Sequence, residues 1–140
     1  MRYRQSAITV ARFLLAIVIC FDAPAARTQS HPAHVSIQEV QRFLGRPGVY
    51  VYDVNLPEIW EANHIPGSIH ITEANLTRYL PADRQAILIF YCAAPRCSAS
   101  ESAAAKAVQL GYTRIYVMPE GIFGWKKAGL PVESSPAKGK

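Results

Sequence analysis

The stretch "FYCAAPRCSASES", residues 90–102, sets Cys92 and Cys97 five positions apart, where an apolar run stops and a stretch rich in serine and alanine begins. A strand that ends in a tight loop and opens into a helix aims the loop's N–H groups, and the positive end of the helix dipole, at one point. A cysteine at that point gives up its proton more readily and becomes a nucleophile near neutral pH. Two cysteines this close can instead close a disulfide, given an oxidising compartment. The inert alternative for Cys92 is a small buried apolar side chain. Local sequence leaves all three readings open.

The flanking segments supply elements that could hold such a loop. In "SIQEVQRFLG", Ser36 stands three residues before Glu39 as a capping box, and Ile37, Val40, Phe43 and Leu44 share one face, so a short helix ended by Gly45 is expected. "GVYVYDV" predicts a strand from Val49 to Asp53 after the Pro47-Gly48 turn signal. "AILIFY", Ala86 to Tyr91, has no polar alternation and reads as a strand buried on both faces, as in parallel sheets. "SASESAAAKAVQLG" predicts a helix stopped by Gly111, and "TRIYVM" a further strand. Strands alternating with helices imply an α/β layered domain around a mainly parallel sheet.

The chain has 140 residues, half of them hydrophobic, which suits one domain with a real core. Its first segment carries Arg2, Arg4 and Arg12, then an apolar run from Phe13 to Phe21, then Ala23-Pro24-Ala25, the order of a secretory signal peptide. The run falls well short of the ~20 residues a membrane helix needs, so no permanent span is expected, with an uncleaved N-terminal anchor as the alternative. Cys20 follows Ile17, Val18 and Ile19 rather than the small residue of a lipoprotein signal. Removing residues 1–25 lowers the net charge from +5 to +3, because three basic residues and Asp22 leave twelve basic against nine acidic ones. The remaining basic residues are scattered, which argues against nucleic-acid binding. The expected organisation is a signal peptide over 1–25, a flexible lead-in over 26–35, one domain over 36–133 and a disordered tail over 134–140. The expected location is the periplasm or the medium.

Three motifs carry a resemblance to a known family. "YDVNLPEIWEANHIPGSIHI" holds Asp53, Glu58, Trp60 and His64-Ile65-Pro66-Gly67; "LIFYCAAPRCSAS" holds the loop cysteine; "EGIFGWKKAGLPVE" holds Gly121, Trp125, Gly129, Pro131 and Val132. In this order and spacing the chain resembles a single rhodanese domain over most of residues 36–132. The resemblance implies a three-layer rhodanese-like fold, with a mainly parallel central sheet flanked by helices, and a sulfurtransferase or persulfide carrier without a cofactor. Cys92 would be the catalytic nucleophile, taking sulfane sulfur from a small anion such as thiosulfate, or from a persulfide donor, and passing it to a thiol acceptor. Ala93, Ala94, Arg96, Cys97 and Ser98 would bind the substrate, their N–H groups forming a cradle to which Pro95 cannot contribute.

The loop departs from the family pattern at Pro95, where glycine is usual, and at Cys97, where a basic residue is usual; the arginine stands one position early, at Arg96. A displaced guanidinium, together with Asn55 where many members carry arginine, implies weaker binding of dianionic thiosulfate. Cys97 suggests a resolving thiol that attacks a persulfide on Cys92 and leaves a disulfide for a thiol-reducing partner. The alternative is a non-catalytic binding or redox-switch module whose loop is stapled by Cys92–Cys97. Phosphatase chemistry on this fold needs arginine six positions after the cysteine, where Ser98 stands. No metal site is expected: His31 and His34 lie in a polar lead-in, and the cysteine spacing exceeds that of zinc sites. His64 and Asp53 are read as architectural, Trp60 and Trp125 as core aromatics.

Overall fold

A computed structural model of the chain describes residues 31–135. The signal-peptide reading of residues 1–25, with Cys20, and the last five residues of the tail lie outside them. Five strands form one all-parallel sheet: β1 (Ala33–His34), β2 (Val49–Asp53), β3 (Ile69–His70), β4 (Ile87–Tyr91) and β5 (Arg114–Met118), in the order β1-β5-β4-β2-β3. Between them run α1 (Ile37–Phe43), α2 (Pro57–Ala62), α3 (Leu76–Tyr79) and α4 (Ala99–Gln109), and α5 (Gly121–Lys127) follows β5. The three longer strands and the two best-patterned helices stand where periodicity and turn residues place them.

The central strand β4 is buried along its whole length because both faces are covered. Its alternation sends Leu88 and Phe90 into a cluster with Tyr52, Leu76, Ala103, Ala104, Ala107 and Tyr112, under α3 and α4. Ile87, Ile89 and Tyr91 point the other way, into a cluster with Val40, Ile65, Ile122 and Trp125. Alanines on the inner face of α4 let that helix lie close to the sheet. Each large side chain fully buried here contributes roughly 1.5–3 kcal/mol. The α1 capping box is complete: Ser36 accepts from the Glu39 N–H, and Glu39 Oε2 accepts from the Ser36 N–H at 2.9 Å.

Three expectations need correction. Residues 33–34, assigned to a flexible lead-in, form edge strand β1, and the Val35 N–H donates to the Val117 carbonyl at 2.9 Å. Two residues are too few for a period-2 pattern to be visible, and the same holds for β3. At the other end Glu133 bridges His64 in antiparallel fashion and the Ser135 N–H donates to the Glu61 carbonyl at 3.1 Å, so the tail is tied down at least as far as residue 135. Trp125 is fully buried, with Nε1 donating to the Pro131 carbonyl at 2.8 Å, but Trp60 is only half-buried and stacks with His64 and with His70, ring centroids 3.6 and 5.1 Å away. Among the described residues no helix is long and apolar enough to cross a membrane.

Candidate active site

Tyr91, the last residue of β4, pairs with Asp53 of β2 and Met118 of β5, so Cys92 emerges at the carboxyl end of the sheet between its two central neighbours. Its first two carbonyls are held from one side by α5: Cys92 accepts from the Ile122 N–H at 2.8 Å and Ala93 from the Phe123 N–H at 3.0 Å. Gly121 makes this approach feasible. It has φ +61°, and a Cβ there would lie 2.5 Å from the Cys92 carbonyl oxygen and 2.6 Å from the Ala93 carbonyl carbon and oxygen.

The loop then turns back on itself. The Cys97 N–H donates to the Ala94 carbonyl at 2.9 Å, and Cys92 and Cys97 are joined by a disulfide, with their Cα atoms 6.3 Å apart. In this state the N–H of Cys97 serves the turn rather than a cradle, which corrects its expected donor role. Cys92 is 1% exposed, whereas Cys97 is partly exposed and Pro95, Arg96 and Ser98 are exposed. Arg96 therefore stands at the mouth of the loop; Ala93 and Ala94 lie half-buried behind it.

The first turn of α4 backs onto the sulfur. Ser100 is buried, and its Oγ donates toward Cys92 Sγ at 3.5 Å; the Cys97 carbonyl oxygen lies 3.2 Å from the same atom. Ser98, the N-cap, makes no capping bond with its side chain, so the first-turn N–H groups of α4 are not taken by a side-chain cap. Sequence reasoning overlooked Ser100, although its phase marks it: positions 100, 103, 104 and 107 are the buried face of α4. The contact of Gly121 with the loop left no sequence signal beyond the glycine itself.

Asp53 is fully buried beside the loop. Its Oδ1 accepts from the Asn55 N–H at 2.7 Å while Oδ2 has no hydrogen-bond partner, and the Nδ2 of buried Asn55 is likewise unpaired. Burial pushes the Asp53 carboxyl up, opposed by the nearby Tyr91 hydroxyl, Asn55 and His70. Burial, with Asp53 close by, drives the Tyr91 hydroxyl far above the ordinary phenol range; it accepts from the Ile65 N–H at 3.0 Å. His64 does not reach the cysteines through any hydrogen bond: its Nδ1 lies 2.8 Å from the Trp60 carbonyl and its Nε2 3.7 Å from Glu133. Beside the loop a cleft of about 250 Å³ is lined by Asn55, Leu56, Ile71, Ala99 and Ser102 among others. His34 pairs with Glu101 at 2.9 Å, and no cluster of three or more metal-ligating side chains occurs among the described residues.

The chain and its fold are similar to those of known proteins. The chain is 29% identical over 98 residues to a thiosulfate sulfurtransferase GlpE of Pseudoalteromonas translucida, covering 68% of this chain and 90% of that one. A second GlpE, from Pseudomonas fluorescens, is 30% identical and matches 69% of this chain and 87% of its own length. Among solved structures, the BH2092 protein of Bacillus halodurans superposes with a TM-score of 0.64 at 30% identity, over 77% of this chain and 82% of that one. The model of the rhodanese-like domain matches residues 36–128. On the domain match and the likeness in sequence and fold, the chain belongs to the rhodanese-like family.

Proposed function

We propose that the chain is an exported, single-domain sulfurtransferase that carries sulfur as a persulfide on Cys92. The observation that carries the reading is the placement of Cys92: buried, at the carboxyl end of the central strand, against the first turn of α4 and its Ser100 hydroxyl. Such a position favours the thiolate. The thiolate attacks the outer sulfur of thiosulfate, the S–S bond breaks toward sulfite, and Cys92 keeps the sulfane sulfur as a persulfide anion. An acceptor thiol can take that sulfur directly. Alternatively the Cys97 thiol passes its proton to the terminal sulfur of the persulfide and its own sulfur attacks Cys92 Sγ; hydrosulfide leaves and the disulfide forms, and an external dithiol then restores both cysteines. Arg96, exposed at the loop mouth, attracts the donor anion rather than clamping it, and the backbone of Ala93, Ala94 and Ser98 surrounds the bound sulfur. In this reading residues 36–133 are the working domain, and residues 1–25 are a leader that takes it to the periplasm or the medium.

The disulfide itself favours a second reading, a non-catalytic module whose loop is permanently stapled. Peptide mass spectrometry separates the two. Reduced protein exposed to thiosulfate or polysulfide is expected to gain one sulfur atom on Cys92, and to keep it longer in Cys97→Ser. A Cys92 that stays unmodified in Cys97→Ser, where no disulfide can intervene, removes the sulfurtransferase reading and leaves the module.

A further inference from the structure

We infer that reduction of the Cys92–Cys97 disulfide has a fixed direction: the incoming thiol attacks Cys97, and Cys92 leaves as the thiolate, received by Ser100. Two independent features point the same way. The first is access. Cys92 is 1% exposed beneath α5 and α4, whereas Cys97 is partly exposed between exposed Arg96 and Ser98, and the Arg96 guanidinium favours approach of an anionic thiolate. The second is the leaving group. Thiol–disulfide exchange runs faster when the departing sulfur is the more acidic thiol. The Ser100 Oγ stands 3.5 Å from Cys92 Sγ on the first turn of an eleven-residue helix, so a hydroxyl proton and the positive helix end are both in place to take the charge. Ser100 is thus a positioning residue for the thiolate.

The co-reactant is a dithiol. Its first thiolate forms a bond to Cys97 Sγ, and the Cys92–Cys97 bond breaks with its electron pair going to Cys92. The second thiol of the reductant then attacks its own sulfur in the mixed disulfide, Cys97 leaves and takes that thiol's proton, and the reductant departs as a disulfide. Two electrons have moved. The sulfur carrier is released in the first step and is never bonded to the reductant, which deepens the sulfurtransferase reading and rests on it for its purpose.

The sequence offers a direct assay, because Arg96 stands between the cysteines and trypsin places them on separate peptides, 85–96 and 97–106. The oxidised full chain is treated with glutathione as the probe thiol, quenched in acid, capped with N-ethylmaleimide and mapped. The expected product carries glutathione on Cys97 and maleimide on Cys92, in excess over the reverse by on the order of tenfold. Ser100→Ala, checked for native circular dichroism, is expected to reduce that excess. In a Cys97→Ser background it should also move the pH midpoint of Cys92 alkylation upward. Glutathione on Cys92, an even split, an oxidised chain inert to glutathione, or a Ser100→Ala variant with unchanged excess and midpoint each overturns the inference. No sulfur donor is present, so a chain that fails to load sulfur leaves this result standing, and swapped adducts leave sulfur loading standing.

Discussion

Placing a methyl group at Gly121 tests whether α5 shapes the cysteine loop. Alanine must first adopt φ +61°, which costs about 1–2 kcal/mol for a residue with a Cβ. Its Cβ would then stand 2.5–2.6 Å from backbone atoms of Cys92 and Ala93, which no side-chain rotation can relieve. Overpacking of this kind adds roughly 1–3 kcal/mol, and the shift that relieves it must lengthen the bonds from Ile122 and Phe123 to the loop carbonyls. Gly129 is the control, since it has φ +73° with nothing within 4 Å of its Cβ position. Gly129→Ala should show the backbone cost alone, and Gly121→Ala should lose an additional ~1–3 kcal/mol, a further fall in Tm of roughly 4–15 °C for a domain of this size. The assays are paired thermal melts and, in a Cys97→Ser background, the rate of Cys92 alkylation, which should rise in Gly121→Ala as the loop lifts. Equal Tm losses for the two glycines with unchanged alkylation would refute the reasoning.

Two further substitutions probe the surroundings of the site. Because burial holds the Asp53 carboxyl above its unfolded value, its ionisation opposes folding: the stability it contributes is full below the unfolded pKa of about 3.9 and is lost as pH rises through the higher folded value. Asp53→Asn, whose amide oxygen can still accept from the Asn55 N–H, should therefore remove this decline, gaining on the parent chain as pH rises from about 4 to 7; a stability difference that is flat with pH contradicts it. Trp125→Phe removes the donor to the Pro131 carbonyl and should cost about 1–3 kcal/mol in urea unfolding, with faster amide exchange at Glu133, whose N–H bonds the His64 carbonyl; a change below about 0.5 kcal/mol speaks against that tie.

The parts of this fold legible in the sequence are those with enough residues to show a period. Ile87–Tyr91 could only be a strand covered on both faces, and Ser36 with Glu39 marked the start of α1. β1 and β3, at two residues each, depend on their partners in the sheet and carry no pattern of their own. The placement of Cys92 was legible because strand end, loop and helix start coincide in one stretch. The groups that touch it from elsewhere were not: Gly121 meets it only after β5 has been laid beside β4, a contact between residues 29 positions apart. Trp60 reads as core by residue type, yet its half-buried ring stacks with two imidazoles, those of His64 and His70.

The dependence of the loop on α5 also has a temporal side. A chain made from its amino end exposes Cys92 well before Gly121 exists, and the carbonyls of Cys92 and Ala93 receive their donors only when Ile122 and Phe123 have followed. The first strand among the described residues waits as well, since there β1 pairs only with β5, across some eighty residues of chain. During synthesis, and in any chain truncated before α5, the cysteines therefore belong to an unfinished polymer rather than to a site. The lateness of α5, the last helix among the described residues, thus keeps Cys92 of a newborn chain outside the loop geometry it has in the folded domain.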